Sequence, residues 1–448
     1  MNTAYTSPKK HAIVAGGSLA GLLAAKVLSK HYSSVTIIEK DSVQRKPEAR
    51  KGQAQAYHLH ALLPAGLQVL SHYFPGFLDD LSSHGVKVLD FASSMNWYCY
   101  GGFRKRFPIG IEVIIVSRAL LEHVVRERIL AMPNIQLVDN TLVKQLTTTD
   151  DKQSITGIVT ENKNTGQTNL VSADFVMDTS GRGSRTAQWL KELGYGETPV
   201  SEVKVNVGYT TRIYTRDPGD AHGESWIIST PIAPGHKRFG AAFPIENNRW
   251  MVTVGGWHND HAPTLETEYL EFVRGLPNPA LYDVVSTNKA VGDFIQYKFP
   301  FSLRRHYEKL RRFPVGFLVA GDAFSSFNPI YGQGMSSAAL QVELLDKLLN
   351  EQVPDQDLAK TFFKRSTSII DVIWSMATGE DFRYPQTSGT RPPGIKLVNK
   401  YIEQVHKATT KDEVVCGAFL KVIALLKPPT HLFQPAILWR VLRQGKPK

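Results

Sequence analysis

Apolar and polar positions along this chain follow two periods. Residues 11–15 and 35–38 are short apolar runs. Between them Ala20, Leu23, Ala24, Val27 and Leu28 recur at i, i+3, i+4, i+7 and i+8, the face of a helix laid on a sheet. The predicted order over 11–39 is strand, glycine turn, helix, strand, acidic residue: a βαβ unit. Downstream, 57–70 reads as helical, 91–107 as aromatic strands broken by glycines, and Ser117 as the N-cap of a helix running to about 132. Short strands at 135–138, 142–146, 155–161 and 169–171 are separated by polar turns. The apolar run 173–178 ends in a glycine turn carrying Arg182 and Arg185.

From 204 to 299 the period becomes two, with strands at 205–214, 226–230, 238–244 and 250–256. In the last, Trp250, Val252 and Val254 share one face and Met251, Thr253 and Trp257 the other. This predicts an antiparallel sheet that roofs or floors an organic substrate, interrupted by a helix at 265–275. A buried strand at 317–320 ends in Gly321-Asp322. The loop 324–334 and a helix over 335–349 follow, and the rest reads as helical except for a break at 384–394. The division predicted is a nucleotide-binding domain at 1–200 with an excursion at 85–115, a substrate sheet at 201–310, a return to the first domain at 311–350, and a helical region at 351–448.

Composition narrows the class. With 42% hydrophobic and 21% charged residues the 448-residue chain is globular. Its two cysteines, Cys99 and Cys416, form no disulfide framework and no cluster with metal-ligand spacing, so no metal and a reducing, cytoplasmic setting are expected. The net charge of +11 is spread without any nucleic-acid recognition motif, which argues against nucleic acid and suits an anionic dinucleotide. Lys9-Lys10 before an apolar run imitates a signal peptide, but the glycine turn inside that run argues against cleavage. No uninterrupted apolar run approaches the roughly 18 residues of a spanning helix. The stripe Leu432, Phe433, Ile437, Leu438 and Leu442, with Lys421, Lys427, Arg440 and Arg443 nearby, fits either core packing or a surface helix making peripheral membrane contact.

The glycine turns carry the candidate chemistry. Gly16 permits the tight turn, small Ser18 lets the backbone approach a pyrophosphate, and Gly21 lets the helix lie close to the strand. Glu39, 23 residues after Gly16, is placed to accept from ribose hydroxyls. At the third turn Asp322 would accept from a sugar-alcohol hydroxyl. Pro329 and Gly332 would let backbone lie flat beside a planar heterocycle, and the helix from Gly334 would aim its positive end at it. Asp178 either touches the cofactor or holds its own turn.

Gly16-x-Ser18-x-x-Gly21, Asp178-Thr-Ser-Gly181-Arg-Gly-Ser184-Arg185 and Gly321-Asp322-Ala-Phe-Ser-Ser-Phe-Asn328-Pro329-Ile-Tyr331-Gly332-Gln-Gly334-Met335 resemble the three motifs of FAD-dependent monooxygenases, the aromatic hydroxylase and squalene epoxidase type. With Arg50-Lys51-Gly52, Gln55, His58-x-His60, Ser117-Arg118 and the stretch Arg304-Arg305-His306-Tyr307-Glu308, the chain is most similar to the flavin epoxidases of polyether biosynthesis and their bacterial relatives. The resemblance implies an α/β fold: a Rossmann-type, glutathione-reductase-like FAD-binding domain with an inserted antiparallel substrate sheet and a helical C-terminal region. It implies FAD held by Gly16, Ser18, Gly21, Glu39, Arg50, Arg118, Asp178 and Asp322, with the ring against Pro329, Gly332, Gly334 and Met335.

In such a site reduced flavin captures O2 as a C4a-hydroperoxide and delivers one oxygen to an apolar alkene or ring, as in natural-product epoxidation or hydroxylation. Electrons would come from NADH or NADPH, directly or through a flavin reductase. Small polyenes, terpenoids, polyketides or aromatics are the implied substrates. A flavin-dependent reductase or saturase of an isoprenoid or polyene double bond is the alternative. The Trp-x-Trp-x-Ile-Pro signature of flavin halogenases is absent. His58 and His60, on different faces of the predicted helix, either hydrogen-bond to flavin or backbone or transfer protons. Arg304 and Arg305 either contact ligand or form salt bridges, and Tyr307 is expected to pack. Trp97, Tyr98, Phe103, Trp226, Phe243 and Trp250 divide between pocket and sheet core.

Overall fold

The computed structural model describes residues 10–50, 53–217 and 219–444. Lys9 of the leader-like run, and Lys51 and Gly52 of the Arg50-Lys51-Gly52 match, lie outside them. Five parallel strands form the first sheet, in the spatial order Phe317–Val319, Phe175–Asp178, His11–Ala15, Ser34–Ile38, Ile135–Val138. Ala12, Ile13 and Val14 are wholly buried, as is the inner face of the helix Leu19–Leu28. Both faces of the sheet are covered, so the strands read as continuous apolar runs. Helices Arg118–Leu130 and Gly334–Asn350 complete this core. Ser117 caps the former, its Oγ accepting from Leu120 N at 3.1 Å.

The second sheet has eight strands. Its long members, Val200–Thr215 and Ala290–Arg305, run antiparallel, and Arg249–Gly256, Arg238–Ile245 and Trp226–Ser229 follow outward. The excursion contributes Met95–Cys99, which pairs in parallel with Trp226–Ser229, so this sheet is antiparallel except at one ladder. Register sorts the aromatics. Trp250, Val252 and Val254 are wholly buried beneath helices Glu266–Arg274 and Pro279–Thr287. Trp226, Trp97 and Phe243 meet residues 91–115 and helix Glu413–Ile423. Phe103 is 47% exposed. Helix Pro279–Thr287 was not anticipated, although Asn278-Pro279 is an N-cap followed by proline at the first helical position, and Asn278 Oδ1 accepts from Ala280 N at 3.3 Å.

One expectation is corrected. The helix read over 57–70 starts at Pro64 and runs to Tyr73. Proline disfavours helical backbone in the residue before it, and Leu63 is extended, with ψ 154°. Ala54–Tyr57 is a single 3-10 turn, so His58 and His60 stand on a non-helical connector rather than on two faces of a helix. The C-terminal region is helical at Asp355–Asp381, Ile395–Ala408, Glu413–Ile423 and Pro435–Gln444, broken at 384–394 as expected. Among the described residues no helix is long and apolar enough to cross a membrane.

Candidate functional site

The three glycine turns meet at the carboxyl ends of the parallel strands. Thr179 N and Thr179 Oγ1 both donate to Ala15 O, at 2.8 and 2.9 Å, which ties the second motif to the first. A Cβ on Gly16 (φ +107°) would stand 2.6 Å from Thr179 O, and one on Gly21 would stand 1.7 Å from Gly16 O. No side chain fits either place. Ala320 N donates to Asp178 O at 3.0 Å, and a Cβ on Gly321 would meet Ala20 Cβ at 3.4 Å, which brings in the third motif. Arg305 clasps the second and third, donating to Arg182 O at 2.9 Å and to Ala323 O at 3.0 Å.

Around the first turn lies a buried charge cluster. Glu39 Oε2 accepts from Gly17 N at 2.7 Å and faces Arg50 Nη1 at 3.0 Å. Glu122 joins the rest, and it was not foreseen in the sequence. Its Oε1 accepts from Ser18 Oγ at 2.6 Å, Arg118 Nε at 2.6 Å and Gln53 Nε2 at 2.8 Å, while its Oε2 is 3.6 Å from Arg50 Nη2. Burial opposes ionisation of Glu122, but Arg118, the Ser18 hydrogen bond and Arg50 overcome it and hold the acid down at about 2. Burial likewise opposes the Arg50 charge, and Glu39 and Glu122 more than offset it. The available signal was the i, i+4 spacing of Arg118 and Glu122; Gln53 offered none.

At the third turn the Asp322 carboxylate lies 3.7 Å from the place a Gly334 Cβ would occupy, beside the start of helix Gly334–Asn350. Burial pushes this acid above its ordinary pKa, against the pull of Arg118 and Arg182. Asn328 Oδ1 accepts from Ile330 N at 3.3 Å and shapes the turn Pro329–Tyr331, which Gly332 leaves with φ +67°. Met335 opens the following helix and is buried in the core. Asp178 serves its own turn: Ser180 N, Ser184 Oγ and Thr186 Oγ1 donate to its two oxygens at 2.8, 2.5 and 2.5 Å.

Facing that loop is the sheet. His58 Nδ1 is 2.7 Å from Thr211 Oγ1, and its ring stands edge-on to Tyr209 at 4.8 Å between centroids. Burial, aided by His60, takes its pKa down to about 3, so His58 is neutral at ordinary pH. Its Nε2 is buried with no hydrogen-bond partner among the described residues. His60 is held at about 4 by burial and by Arg118, and its Nδ1 is 2.8 Å from His58 O. Arg304 pairs with Asp371 and Glu308, and Tyr307 packs among Phe313, Phe324 and Phe363.

The donor set fits a dinucleotide. Cations lie beside a helix N-terminus at one end, acids lie at both strand ends where hydroxyls would come, and glycines keep the backbone clear for close approach. Arg182 Nη2, Gln333 Oε1 and His58 Nε2, without hydrogen-bond partners among the described residues, are buried polar atoms of the kind a polar ligand satisfies.

Comparison places this arrangement. The chain matches a flavoprotein/dehydrogenase from Cytophaga hutchinsonii with a TM-score of 0.69, at 14% identity, over 98% of this chain and 100% of that one. It matches PqsL, a probable FAD-dependent monooxygenase from Pseudomonas aeruginosa, with a TM-score of 0.62, at 17% identity, over 83% and 97%. The fold is that of the FAD-binding monooxygenases. By sequence the chain is similar to the protein Rv3254 of Mycobacterium tuberculosis, 29% identical over 435 residues (94% of this chain, 90% of that protein), and to a kynurenine 3-monooxygenase of Salinispora tropica, 24% identical over 410 residues (84% and 81%), among others. No family model matches the chain.

Proposed function

We propose that the chain is an FAD-dependent monooxygenase that transfers one oxygen atom of O2 to a small, apolar substrate, by epoxidation of an alkene or by hydroxylation, in the manner of natural-product enzymes. The observation that carries this reading is the contact of all three glycine turns at one crevice, with the Asp322–Gly334 stretch opposite an aromatic sheet face. Bound there and reduced, FAD supplies the electrons that activate O2. The chain does the rest.

In this reading Arg50 and Arg118, held by Glu39 and Glu122, stand by the pyrophosphate at the amino end of helix Leu19–Leu28, Glu39 accepts from the ribose, and Asp322 from the sugar-alcohol chain. The amino end of helix Gly334–Asn350 favours negative charge on the ring. Tyr209, Phe239, Tyr297 and Trp257 pack in one apolar cluster with Ile330 and Tyr331, and they exclude water. Epoxidation needs no general base, in keeping with neutral His58, which is left to hydrogen-bond rather than to carry a charge. Electrons from NADH or NADPH, direct or through a flavin reductase, complete the cycle. A small aromatic substrate is supported by the names of two relatives of the fold, the kynurenine 3-monooxygenase and PqsL bound to 2-aminobenzoylacetate.

The sheet at 201–310, joined by the excursion at 85–115, then forms the substrate domain, and the rest of the described residues up to 200 with the return at 311–350 the cofactor domain. Leu397, Trp439 and Leu442, 76%, 60% and 58% exposed among Lys396, Lys400, Arg440 and Arg443, support peripheral contact with an anionic membrane. Leu432 and Ile437 belong to the core.

The test is to reconstitute the chain with FAD, record its visible spectrum, and turn over candidate alkenes and aromatics under isotopically labelled O2. The expected product carries one labelled oxygen. A colourless reconstituted chain overturns the flavin reading, and an alkene reduced without O2 puts a reductase in its place.

A further inference from the structure

Asp381 is the last residue of the 27-residue helix Asp355–Asp381, and no part of it is exposed. One of its oxygens, Oδ1, accepts three hydrogen bonds from two separate stretches: Asn328 Nδ2 at 3.0 Å and Tyr331 OH at 2.8 Å from one, and Trp257 Nε1 at 2.9 Å from the other. The other, Oδ2, is buried with no hydrogen-bond partner among the described residues. Three influences disfavour a carboxylate at this place. It is desolvated, it stands at the negative end of a helix dipole, and Glu380 is its neighbour. Burial and Glu380 together take its pKa up to about 6, against the three donors. A group so placed is a poor stabiliser, so its contribution lies in what it holds.

What it holds is the turn Pro329–Tyr331, on both sides. Asn328 caps that turn and Tyr331 closes it, while Trp257 directly follows the sheet strand Arg249–Gly256 opposite. We propose that Asp381 is a positioning residue for the flavin-facing turn, fixing it against the substrate sheet through Asn328, Tyr331 and Trp257, with the charge of its carboxylate setting how firmly the turn is held. The proposal rests on the reading that this turn lies along the flavin ring. Ionised, Oδ1 makes charge-assisted hydrogen bonds, about twice as strong as neutral ones. A proton has one open place, Oδ2. Its arrival turns Oδ1 into a neutral acceptor and loosens three contacts at once.

Other titratable groups face this carboxylate without taking over its role. Glu380 is engaged with Arg383 at 2.7 Å, and burial keeps the Tyr331 and Tyr384 hydroxyls protonated. His258 lies 3.2 Å from Thr387 Oγ1, and burial lowers its pKa.

The full chain is titrated from pH 5 to 8 with two readouts. One is tryptophan fluorescence of the apoprotein, taken as the difference from W257F. The other is the visible spectrum of bound FAD. In the wild type both are expected to change with one midpoint near 6, and D381N is expected to lose both changes. Y331F, which keeps the carboxylate and removes one donor, moves the fluorescence midpoint upward by up to about one unit, because a hydrogen bond to the ionised form is lost. W257F does the same in the flavin spectrum.

A transition that survives in D381N, or midpoints unmoved in both Y331F and W257F, overturns the proposal. A chain that binds no flavin overturns the flavin reading, and with it the role given to the turn, whatever the fluorescence does. A chain that binds flavin with a pH-independent spectrum overturns the Asp381 proposal alone.

Discussion

Replacing Glu122 by glutamine tests whether the buried charge cluster is held as the geometry implies. The substitution keeps the shape of the side chain and one acceptor oxygen but removes the charge that faces Arg118 and Arg50. The carboxyl is 3% exposed and held at about 2, against an ordinary value of 4.5. That depression corresponds to roughly 3 kcal/mol of folding stability at pH 7. This is at the lower edge of the 3–5 kcal/mol range for breaking a buried pair from one side.

The sign also fixes a pH window. A depressed acid contributes its full stabilisation above 4.5 and loses it as pH falls toward 2, so the gap between wild type and E122Q should be widest at neutral pH and should narrow in acid. Chemical denaturation of the apoprotein, followed by circular dichroism at several pH values, measures this. A gap below about 1 kcal/mol at pH 7, or one that does not change with pH, refutes the reasoning.

Other substitutions probe the rest of the site. In G21A the new carbon would sit 1.7 Å from Gly16 O, so helix Leu19–Leu28 must retreat. A stability loss of about 1–3 kcal/mol and failure to retain FAD are expected by denaturation and flavin-fluorescence titration, and wild-type behaviour in both contradicts the packing argument. His58 should stay neutral from pH 5 to 8 when followed by NMR of labelled histidine, since burial takes its pKa to about 3; protonation in that range removes it from the buried place assigned here. Sedimentation with anionic liposomes should be salt-sensitive and reduced at least several-fold when Leu397 and Trp439 are both made serine, because exposed apolar area drives interfacial binding and no charge is added. Equal sedimentation of both proteins removes the membrane contact.

Much of the framework around the glycine turns was legible because it is local. A strand, a glycine turn and a helix face are adjacent in sequence, and Gly16 and Gly21 answer steric demands made within a few residues. The end of the third motif was legible for the same reason, Asn328-Pro329 and Gly332 being turn chemistry. The start of the helix read over 57–70 was misplaced although Pro64 stood in the chain as a start signal, proline being favoured at the first helical position.

Residues far apart are another matter. Glu122 meets Ser18 across 104 positions and Asp381 meets Trp257 across 124. No spacing announces such a meeting. The sheet aromatics divided in the same way: alternation showed that Trp250 and Met251 face opposite sides, but the helices packed beneath decided which side was core.

By itself the sequence determined the βαβ unit, the three glycine turns and the two periods that separate the parallel-sheet core from the second sheet, because backbone sterics and side-chain alternation act over a few residues. Tertiary structure alone decided that Glu122 organises the first turn, that neutral His58 faces Tyr209, and that Asp381 grips the third turn. A buried charge or imidazole takes its protonation and partners from whatever the fold brings within a few ångströms, and that neighbourhood is a property of the packed chain.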